Sequence, residues 1–458
     1  MKIRVPHTYV LLCCLIIAAS ISTWLIPAGQ YERIQQHGRE VIDPSTYHSV
    51  VAKPAGPADV LLAFPRALIE VADIVFYIFI IGGAFGVLNR TGVIHAGINR
   101  LVQRVGSRRA LIVPVLALVF SLGGGSIGIA EETLVFLPAL LLLSRSLGYD
   151  SLVGGGIALL GANAGFAGAF MNPFTIGVAQ GIVGLPLFSG MLFRMVLWTI
   201  MTTVTIAWLC RYAARVKATP SISLMYALDQ KRASDTAIAQ EQFSRRHLAV
   251  LIVSVIALGA LAVGAMRWQW GILQLSALFF GLAIVAGPVG GLTFDETARS
   301  FIKGAEEITY AGLVVGLARG TLVILREARV IDTITHGMAM AVKRFPSSVN
   351  VVWIFIMQNL LHFIVPSGSG QAAVSMPILA PLGDLLGITR QTNVLAYQLG
   401  NGITNVFIPT QGYFMAALGI MQIPWDVWVR WIFYLLLLWL GMGAAAVVVA
   451  HTIHFGPF

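Results

Sequence analysis

Two glycine- and serine-rich stretches repeat one pattern in an otherwise very apolar chain: GGGSIGIAEETLVFLPALLLL from Gly123 and PSGSGQAAVSMPILAPLGDLL from Pro366. Each is followed by an apolar segment interrupted by Asn, Pro and Thr. Such backbone leaves N–H and C=O groups unpaired, so at membrane depth it survives only where protein or a water-filled cavity surrounds it. Finding it twice predicts a binding site shared between two repeats, as in secondary transporters.

The composition is that of a membrane protein. Of the 458 residues, 57% are hydrophobic and 11% are charged, and the mean hydropathy is +0.82. Soluble domains carry about 25% charged residues, and several runs here reach the ~20 apolar residues that cross a ~30 Å hydrocarbon core. We therefore expect a multi-pass protein of a bacterial-type inner membrane. Lys2 and Arg4 precede an apolar run without a clean cleavage site, so we expect a retained first span rather than a signal peptide.

The predicted fold is all-α, with about nine transmembrane helices and two re-entrant helical hairpins in an inverted repeat. The spans are predicted at about 8–27, 72–92, 151–172, 188–211, 248–265, 271–291, 308–326, 392–411 and 427–450. Residues 110–122 are too short to cross, and residues 132–145 return just as briefly after the glycine tip. Both ends would then lie on one face. The arms of the second hairpin are predicted near 349–365 and 371–386.

The two halves align in order. Gly125 pairs with Gly368, Ser126 with Ser369, Ala130 with Ala373, Pro138 with Pro381, Gly148 with Gly387 and Gly161 with Gly400. Residues 1–211 form the first predicted repeat, with its hairpin at about 110–146 and a broken helix at about 151–180. Residues 212–270 are a cytoplasmic loop and one linker span. Because that single span inverts the direction of the chain, residues 271–458 form the second repeat, with its hairpin at about 349–388 and a broken helix at about 392–415.

The formal charge of +10 concentrates in short loops, which the positive-inside rule explains without invoking nucleic acid. Residues 90–109 hold five arginines and no acid, and residues 211–247 hold seven basic and three acidic residues, so both are predicted cytoplasmic. The N-terminus is then cytoplasmic and the C-terminus external. One feature opposes this topology, because the predicted external loop 326–348 carries four basic residues.

Each hairpin precedes a segment expected to unwind, since proline removes a backbone donor and disrupts the preceding turn. These segments contain Asn163, Asn172, Pro173 and Thr175 in the first half and Asn401, Thr404, Asn405, Pro409 and Thr410 in the second. Freed carbonyls with the oxygens of Asn163, Asn172, Asn401 and Asn405 are candidate Na⁺ ligands. Half-helix N-termini would attract a carboxylate. The alternative is that small and amide residues merely let helices pack closely.

Three charged residues fall where charge is costly. Glu131 and Glu132 occupy the first hairpin tip, where an ionised carboxylate must be paired or wet. One could accept a coupling proton or attract a cationic substrate group, or both could simply begin a helix. Arg319 lies ~16 Å into its predicted span, near the midplane. It could bind a substrate carboxylate or pair with Glu131 or Glu132. His362 and Asp384, on the second hairpin, are weaker candidates, expected to lie near an interface or to be satisfied internally.

Several motifs resemble the YfcC family nearly end to end: VPHTYVLL, FIIGGAFGVLNRTGVIHAGI, GIAEETLVFLP, NPFTIGVAQGIVGLPLFSG, GLARG and PTQGYF. That family is similar to the four-carbon dicarboxylate anaerobic carriers (DcuC-like) of the ion transporter superfamily. The resemblance implies a homodimeric two-hairpin carrier whose Ser, Asn and Thr side chains bind a substrate carboxylate and Na⁺. The matching positions are Ser126, Asn163, Asn172 and Thr175, then Ser367, Ser369, Asn401, Asn405 and Thr410.

We expect a secondary active transporter of small carboxylates or amino acids working by alternating access, with Na⁺ or H⁺ as the coupling ion and no cofactor. The Glu pair departs from the family's compact Ser-Asn-Thr tip, and it suits a basic amino-acid exchanger of the arginine/ornithine type. An intramembrane enzyme is disfavoured because HExxH, DxxD and nucleophile-elbow patterns are missing. A channel remains a third possibility.

Cys13, Cys14 and Cys210 lack metal-ligand spacing and are expected to pack in the core.

Overall fold

The computed structural model describes residues 7–36, 39–94, 96–97, 100, 106–235, 243–268, 270–342 and 347–456. Within these ranges the protein is an all-helical membrane protein with 19 α-helices. Among the described residues, eight helical segments are long and apolar enough to cross a membrane. Lys343 and Arg344, two of the four basic residues in the predicted external loop, lie outside the described residues.

The elements follow in chain order. The helices are α1 (Thr8–Leu25), α2 (Pro57–Glu70), α3 (Ala72–Arg90), α4 (Ile112–Ser126), α5 (Leu137–Ser146), α6 (Ser151–Gly168), α7 (Ile176–Ile182), α8 (Met191–Ala218), α9 (Tyr226–Asp235), α10 (Arg245–Arg267), α11 (Ile272–Val289), α12 (Phe294–Glu307), α13 (Thr309–Glu327), α14 (Ile331–Val342), α15 (Ser347–Ile364), α16 (Gly368–Leu385), α17 (Arg390–Thr404), α18 (Gly412–Met421) and α19 (Trp425–Thr452). Strands β1 (Gly29–Gln30) and β4 (His48–Ser49) pair antiparallel, as do β2 (Arg33–Gln36) and β3 (Arg39–Ile42).

Seven of the eight candidate spans match predicted ones: α1, α3, α6, α8, α11, α13 and α19. The eighth, Arg109–Ser126, corrects the expectation that the first arm is too short to cross, because a 3₁₀ turn at Gly106–Leu111 lengthens α4 at its start. The predicted spans 248–265 and 392–411 are not among the eight. They correspond to α10 and to α17, and α17 ends at Thr404 after 15 residues, ~22 Å.

Both glycine-rich stretches form helical hairpins. In the first, α4 ends at Ser126, the chain turns through Gly128, and a 3₁₀ helix at Glu131–Phe136 leads into α5. Gly128 has φ of +72°, in the left-handed region that glycine adopts without strain. In the second, α15 ends at Ile364 and α16 begins at Gly368. Each hairpin therefore places non-helical backbone at its tip.

The helix after each hairpin is interrupted. α6 ends at Gly168 and α7 begins at Ile176, while α17 ends at Thr404 and α18 begins at Gly412. Pro173 and Pro409 fall inside these interruptions, where the missing N–H costs no helical hydrogen bond. The backbone between the half-helices is thus free to turn toward a neighbouring cavity.

Helix α6 lies at the centre of the fold, with all 18 of its residues buried. Its glycines permit close packing on α4, since a Cβ on Gly165 would lie 1.9 Å from the carbonyl oxygen of Ser121. Its start is fixed by Asp150, whose carboxylate accepts from Val153 N at 2.9 Å and from the hydroxyls of Tyr212 and Ser223, each at 2.6 Å. These bonds attach the segment after α8 to the core.

The two small β-ribbons dock on α14. Asp332 accepts from Tyr31 N at 3.0 Å and pairs with Arg33 at 3.0 Å, and the Tyr31 hydroxyl lies 2.8 Å from His336 Nδ1. Burial, reinforced by the Asp332 carboxylate, raises the pKa of Tyr31 to about 12. The contact joins two parts of the chain about 300 residues apart.

The cysteine prediction is partly wrong. Cys13 and Cys14 are exposed on α1, and Cys210 on α8 is half-buried. All three are free thiols. Two of them therefore face outward from a span, where an apolar thiol suits lipid, rather than the core.

Candidate functional site

The two hairpin tips, the second helix interruption and α13 surround one cavity of about 380 Å³. Nine residues singled out from the sequence line it: Glu131, Glu132, Thr175, Arg319, Ser367, Ser369, Asn401, Asn405 and Thr410. They come from both halves of the chain. The fold therefore brings together side chains far apart in the sequence, as Glu131 and Thr410 show.

Three other predicted residues do not line this cavity. Ser126 donates to the carbonyl of Leu122 in its own helix. Asn163 accepts from the Tyr413 hydroxyl at 2.9 Å, and Tyr413 is itself a lining residue. Asn172 accepts from Phe174 N at 2.9 Å, and a Cβ on Gly128 would lie 2.6 Å from its amide. Asn163 and Asn172 thus stand behind the cavity wall.

The first hairpin tip brings two carboxylates to the cavity. Glu132 Oε2 accepts from Ala130 N at 3.0 Å, at the start of the 3₁₀ helix. Among the described residues, neither Glu131 nor Glu132 forms a salt bridge with a basic side chain. Both are half-buried and face the open volume. They bring two carboxyl groups without a basic partner among the described residues to this side of the cavity.

Arg319 pairs with Glu70, which corrects the expected pairing with Glu131 or Glu132. Its Nε donates to Glu70 Oε1 at 2.7 Å, and its Nη2 contacts the same oxygen. Arg326, two turns further along α13, also donates to Glu70 at 3.0 Å. Glu70 ends α2 and was not singled out, because a partner 249 residues away leaves no local pattern. One carboxylate thus serves two arginines, so this cluster keeps a net positive charge beside the cavity.

Helix N-termini supply the opposite polarity. Ser367 caps α16, its hydroxyl accepting from Gly370 N at 3.3 Å, and Gly368 and Ser369 line the cavity beside it. Gly412 and Tyr413 bring the N-terminus of α18 to the same space. Each such end carries about half a positive charge, and its N–H groups suit a carboxylate.

Buried polar atoms lie beside the second tip without partners among the described residues. They are Thr175 Oγ1 and Asn401 Oδ1. A Cβ on Gly368 would lie 2.6 Å from Thr175 Cγ2 and 3.8 Å from Asn401 Oδ1, so the glycine fits between the two halves. Because a buried polar group without a partner costs ~1–3 kcal/mol, these atoms are suited to a ligand.

Sequence reasoning missed a buried amide and histidine network behind the second tip. His362 Nδ1 lies 2.8 Å from Gln371 Oε1, and its Nε2 lies 2.9 Å from Asn405 Oδ1. Asn401 Nδ2 contacts the same histidine at 2.9 Å, and Gln411 donates to Asn405 at 2.7 Å. His362 is thus satisfied internally and holds Asn401 and Asn405 in place.

A detectable signal for this network was the i, i+4 spacing of polar residues on apolar helices. Gln358 and His362, then Gln371 and Ser375, then Asn401 and Asn405 follow it. The other weak candidate, Asp384, pairs with Arg390 at 2.9 Å on an exposed surface. Asp384 therefore lies outside the cavity.

The Na⁺ site at the four asparagines stays a prediction. The side-chain oxygens of Asn163, Asn172 and Asn405 already accept hydrogen bonds from protein donors. Of the four, only Asn401 keeps a buried amide oxygen without a partner among the described residues. Its buried oxygen therefore has room for a ligand, while an amide oxygen that already accepts one hydrogen bond keeps a second lone pair.

Family comparison decides the class of protein. The sequence profile of "DcuC: C4-dicarboxylate anaerobic carrier" matches residues 5–452. The chain belongs to the DcuC carrier family. It is 32% identical over 466 residues to the "Putative basic amino acid antiporter YfcC" of Escherichia coli (strain K12), covering 93% of this chain and 92% of the relative. It is 29% identical to an "Uncharacterized protein" of Haemophilus influenzae, covering 98% and 97%.

Two solved transporter structures are similar over almost the whole length at low identity. The Alcanivorax borkumensis YdaH transporter gives a TM-score of 0.42 at 15% identity, over 98% of this chain and 99% of that one. Neisseria gonorrhoeae MtrF gives 0.41 at 15% identity, over 98% and 95%. By family and by its apolar helices, this DcuC family member is a multi-pass membrane transporter and not an enzyme.

Proposed function

We propose that this DcuC family member is a secondary carrier of cationic amino acids, working by alternating access. The observation that carries the proposal is the polarity of the cavity. Glu131 and Glu132 lie on one wall without cationic partners among the described residues, and the N-termini of α16 and α18 lie on the others. An amino acid with a basic side chain presents a cation and a carboxylate at its two ends, and this arrangement suits both.

Each part of the substrate has candidate contacts. The α-carboxylate would meet the N–H groups beside Gly368 and Gly412 and the hydroxyls of Ser367 and Ser369. The cationic side chain would meet the Glu131 and Glu132 carboxylates, since charge-assisted hydrogen bonds are roughly twice as strong as neutral ones. Thr175, Asn401 and Thr410 would satisfy the α-amino group. A relative named as a basic amino acid antiporter is consistent with this assignment.

The inverted repeat with two re-entrant hairpins is part of the proposal. Gly161 and Gly400, equivalent in the sequence alignment, each pack on the first arm of their own hairpin. A Cβ on Gly161 would lie 2.8 Å from Ala117 O on α4, and one on Gly400 would lie 2.6 Å from Gln358 Cβ on α15. The same hairpin-to-helix packing in both halves supports a common ancestral unit.

The open ends of the hairpins support opposite orientations. The end of α5 contacts the segment after α8 through Arg145 and Asp229, at 3.2 Å. The start of α17, just after the second hairpin, contacts the loop after α7, where Arg390 donates to Val183 O at 2.7 Å. Since α8 is a single 28-residue span, these two contacts lie on opposite faces. The N-terminus would be cytoplasmic and the C-terminus external, in a homodimer of the kind the family resemblance implies.

The basic residues of loop 326–348 then oppose this topology less. Arg326 shares Glu70 with Arg319, and Glu327 pairs with Arg66 at 2.6 Å. Arg326 therefore has an acidic partner within the protein, which offsets part of the basic charge of this loop. The pair of Glu327 with Arg66 removes an acidic charge from the loop and leaves its basic excess unchanged.

Transport in proteoliposomes tests the function. Liposomes loaded with unlabelled arginine should accumulate labelled arginine by counterflow, with saturation, and excess lysine or ornithine should compete. A channel would show neither counterflow nor saturation. Saturable counterflow of succinate or fumarate that arginine leaves unchanged would instead establish the second candidate, a C4-dicarboxylate carrier. Arg319 on the cavity wall and the family description favour that second candidate.

A further inference from the structure

A second cavity, of about 730 Å³, lies between α3, α10, α11 and the second arm of the first hairpin. Its wall is mainly aliphatic and aromatic, with Leu88, Phe136, Leu251 and Phe279 among the lining residues. No described lining residue is acidic. An apolar space of this size does not hold ordered water, which needs two to four polar partners. The apolar wall of this cavity therefore suits an apolar ligand.

The polar part of this cavity is basic and confined to one end. Arg245 begins α10, and the Arg100 guanidinium lies 4.6 Å from the ring centre of Phe243, two residues before it. The opposite end is marked by Leu258, thirteen residues further along α10, or ~20 Å away. One leaflet, headgroups included, is about half of 40–45 Å thick. The cavity therefore matches one leaflet in length.

We propose that this cavity binds an anionic phospholipid. The phosphate-bearing headgroup would lie at Arg100 and Arg245, and an acyl chain would follow α10 toward Leu258. Charge complementarity favours this occupant, because basic pockets between membrane helices on the cytoplasmic side attract anionic headgroups. The arginine end belongs to the face that the charge pattern predicts to be cytoplasmic.

The bound lipid would also support the first hairpin. Val135 and Phe136 line the cavity and belong to the same 3₁₀ helix as Glu131 and Glu132. Phe136 also packs edge-on against Phe120 of α4, with ring centres 5.2 Å apart. An acyl chain would therefore contact one arm of the hairpin from behind, on the side away from the 380 Å³ cavity.

Thermal unfolding of the full-length protein in detergent tests the headgroup assignment without any transport assay. Phosphatidylglycerol should raise the unfolding midpoint more than phosphatidylcholine with the same acyl chains. The double variant Arg100→Gln/Arg245→Gln should lose this difference, and losing a cation at the start of α10 does not weaken the helix. A phosphatidylglycerol-specific shift that persists undiminished in the double variant would overturn the headgroup assignment.

Filling the cavity with a larger side chain tests whether the acyl chain binds there. A side chain added at Gly97, which lines the cavity, meets nothing within 4 Å, so Gly97→Leu should occupy the space and reduce stabilisation by both lipids. Gly259→Leu is the matched control, because Gly259 is equally open but exposed on α10. Equal lipid responses in the two variants would refute the site. So would a change in molar mass by light scattering in Gly97→Leu alone, which would show that a second copy covers this face.

Discussion

At the scale of single residues, the acid pair and the paired arginine decide what the cavity can hold. Glu131 and Glu132 are uncompensated within the described structure, whereas Arg319 is already bonded to Glu70. The cavity therefore has carboxyl groups without basic partners at one wall, and helix N-termini and Arg319 at the others. Under the proposed function, the substrate supplies the cation that pairs with these carboxyl groups.

Neutralising Glu131 or Glu132 should specifically weaken the binding of cationic substrates. In Glu131→Gln and Glu132→Gln, the KM for arginine should rise roughly 10- to 100-fold. The reason is that losing a hydrogen bond to a charged group costs ~1.5–3 kcal/mol of binding free energy. Labelled arginine counterflow measures this effect. Glu296→Gln is the control, because Glu296 is an exposed carboxylate in the N-terminal cap of α12. An unchanged KM in both hairpin variants would remove the acid pair from the substrate site.

Removing Glu70 should unpair two arginines at once. Glu70→Gln leaves Arg319 and Arg326 facing each other without a counter-charge, so we expect a loss of ~1–3 kcal/mol of stability, read as a lower unfolding midpoint. The cavity should also become less negative and bind arginine more weakly. Glu327→Gln, which breaks the exposed pair with Arg66, should cost at most ~1 kcal/mol. Equal midpoints for the two variants would contradict the bridging role of Glu70.

At the scale of elements, the second hairpin tip and the first broken helix meet at Gly368. The tip carbonyl of Gly368 accepts from the Tyr397 hydroxyl at 2.7 Å, which fixes α16 against α17. Thr175, from the first half, lies on the other side of the glycine. This contact is a direct link between the two halves at the cavity.

A methyl group at this contact should impair transport. Gly368→Ala places Cβ 2.6 Å from Thr175 Cγ2, so the tip must move away; overpacking of this kind costs ~1–3 kcal/mol, and we expect uptake to fall by at least about fivefold. Gly181→Ala on α7 is the control, since its Cβ meets nothing within 4 Å. Both should be compared at equal amounts of folded protein. Wild-type uptake by Gly368→Ala would show that the tip tolerates displacement and does not shape the site.

At the scale of the whole molecule, the hairpins should open to opposite sides of the membrane. We expect a cysteine replacing Ser146, at the end of α5, to react only with reagents on the cytoplasmic side. One replacing the exposed Leu385, at the end of α16, should react only from outside. The background needs Cys13, Cys14 and Cys210 replaced by Ala. Labelling of both positions from one side would disprove the inverted repeat.

Much of the element order could be predicted from the sequence. Long apolar runs must become helices in lipid, because no other local structure satisfies the backbone there. Glycine tips and prolines predicted where those helices would stop, and α6, α17 and the hairpins end close to these residues. The errors were of length: the first arm is extended by a 3₁₀ turn, and α17 is too short to span.

The sequence by itself determined the class of protein and most of the polar residues that line the cavity, because their polarity is costly in an apolar chain and so stands out. Only the tertiary structure decided the partners. Arg319 pairs with Glu70 rather than with the acid pair, and His362 anchors Asn401 and Asn405. The physical reason is that a buried polar group is costly unless it forms a hydrogen bond or an ion pair. Which residue becomes its partner depends on how helices far apart in the chain pack together.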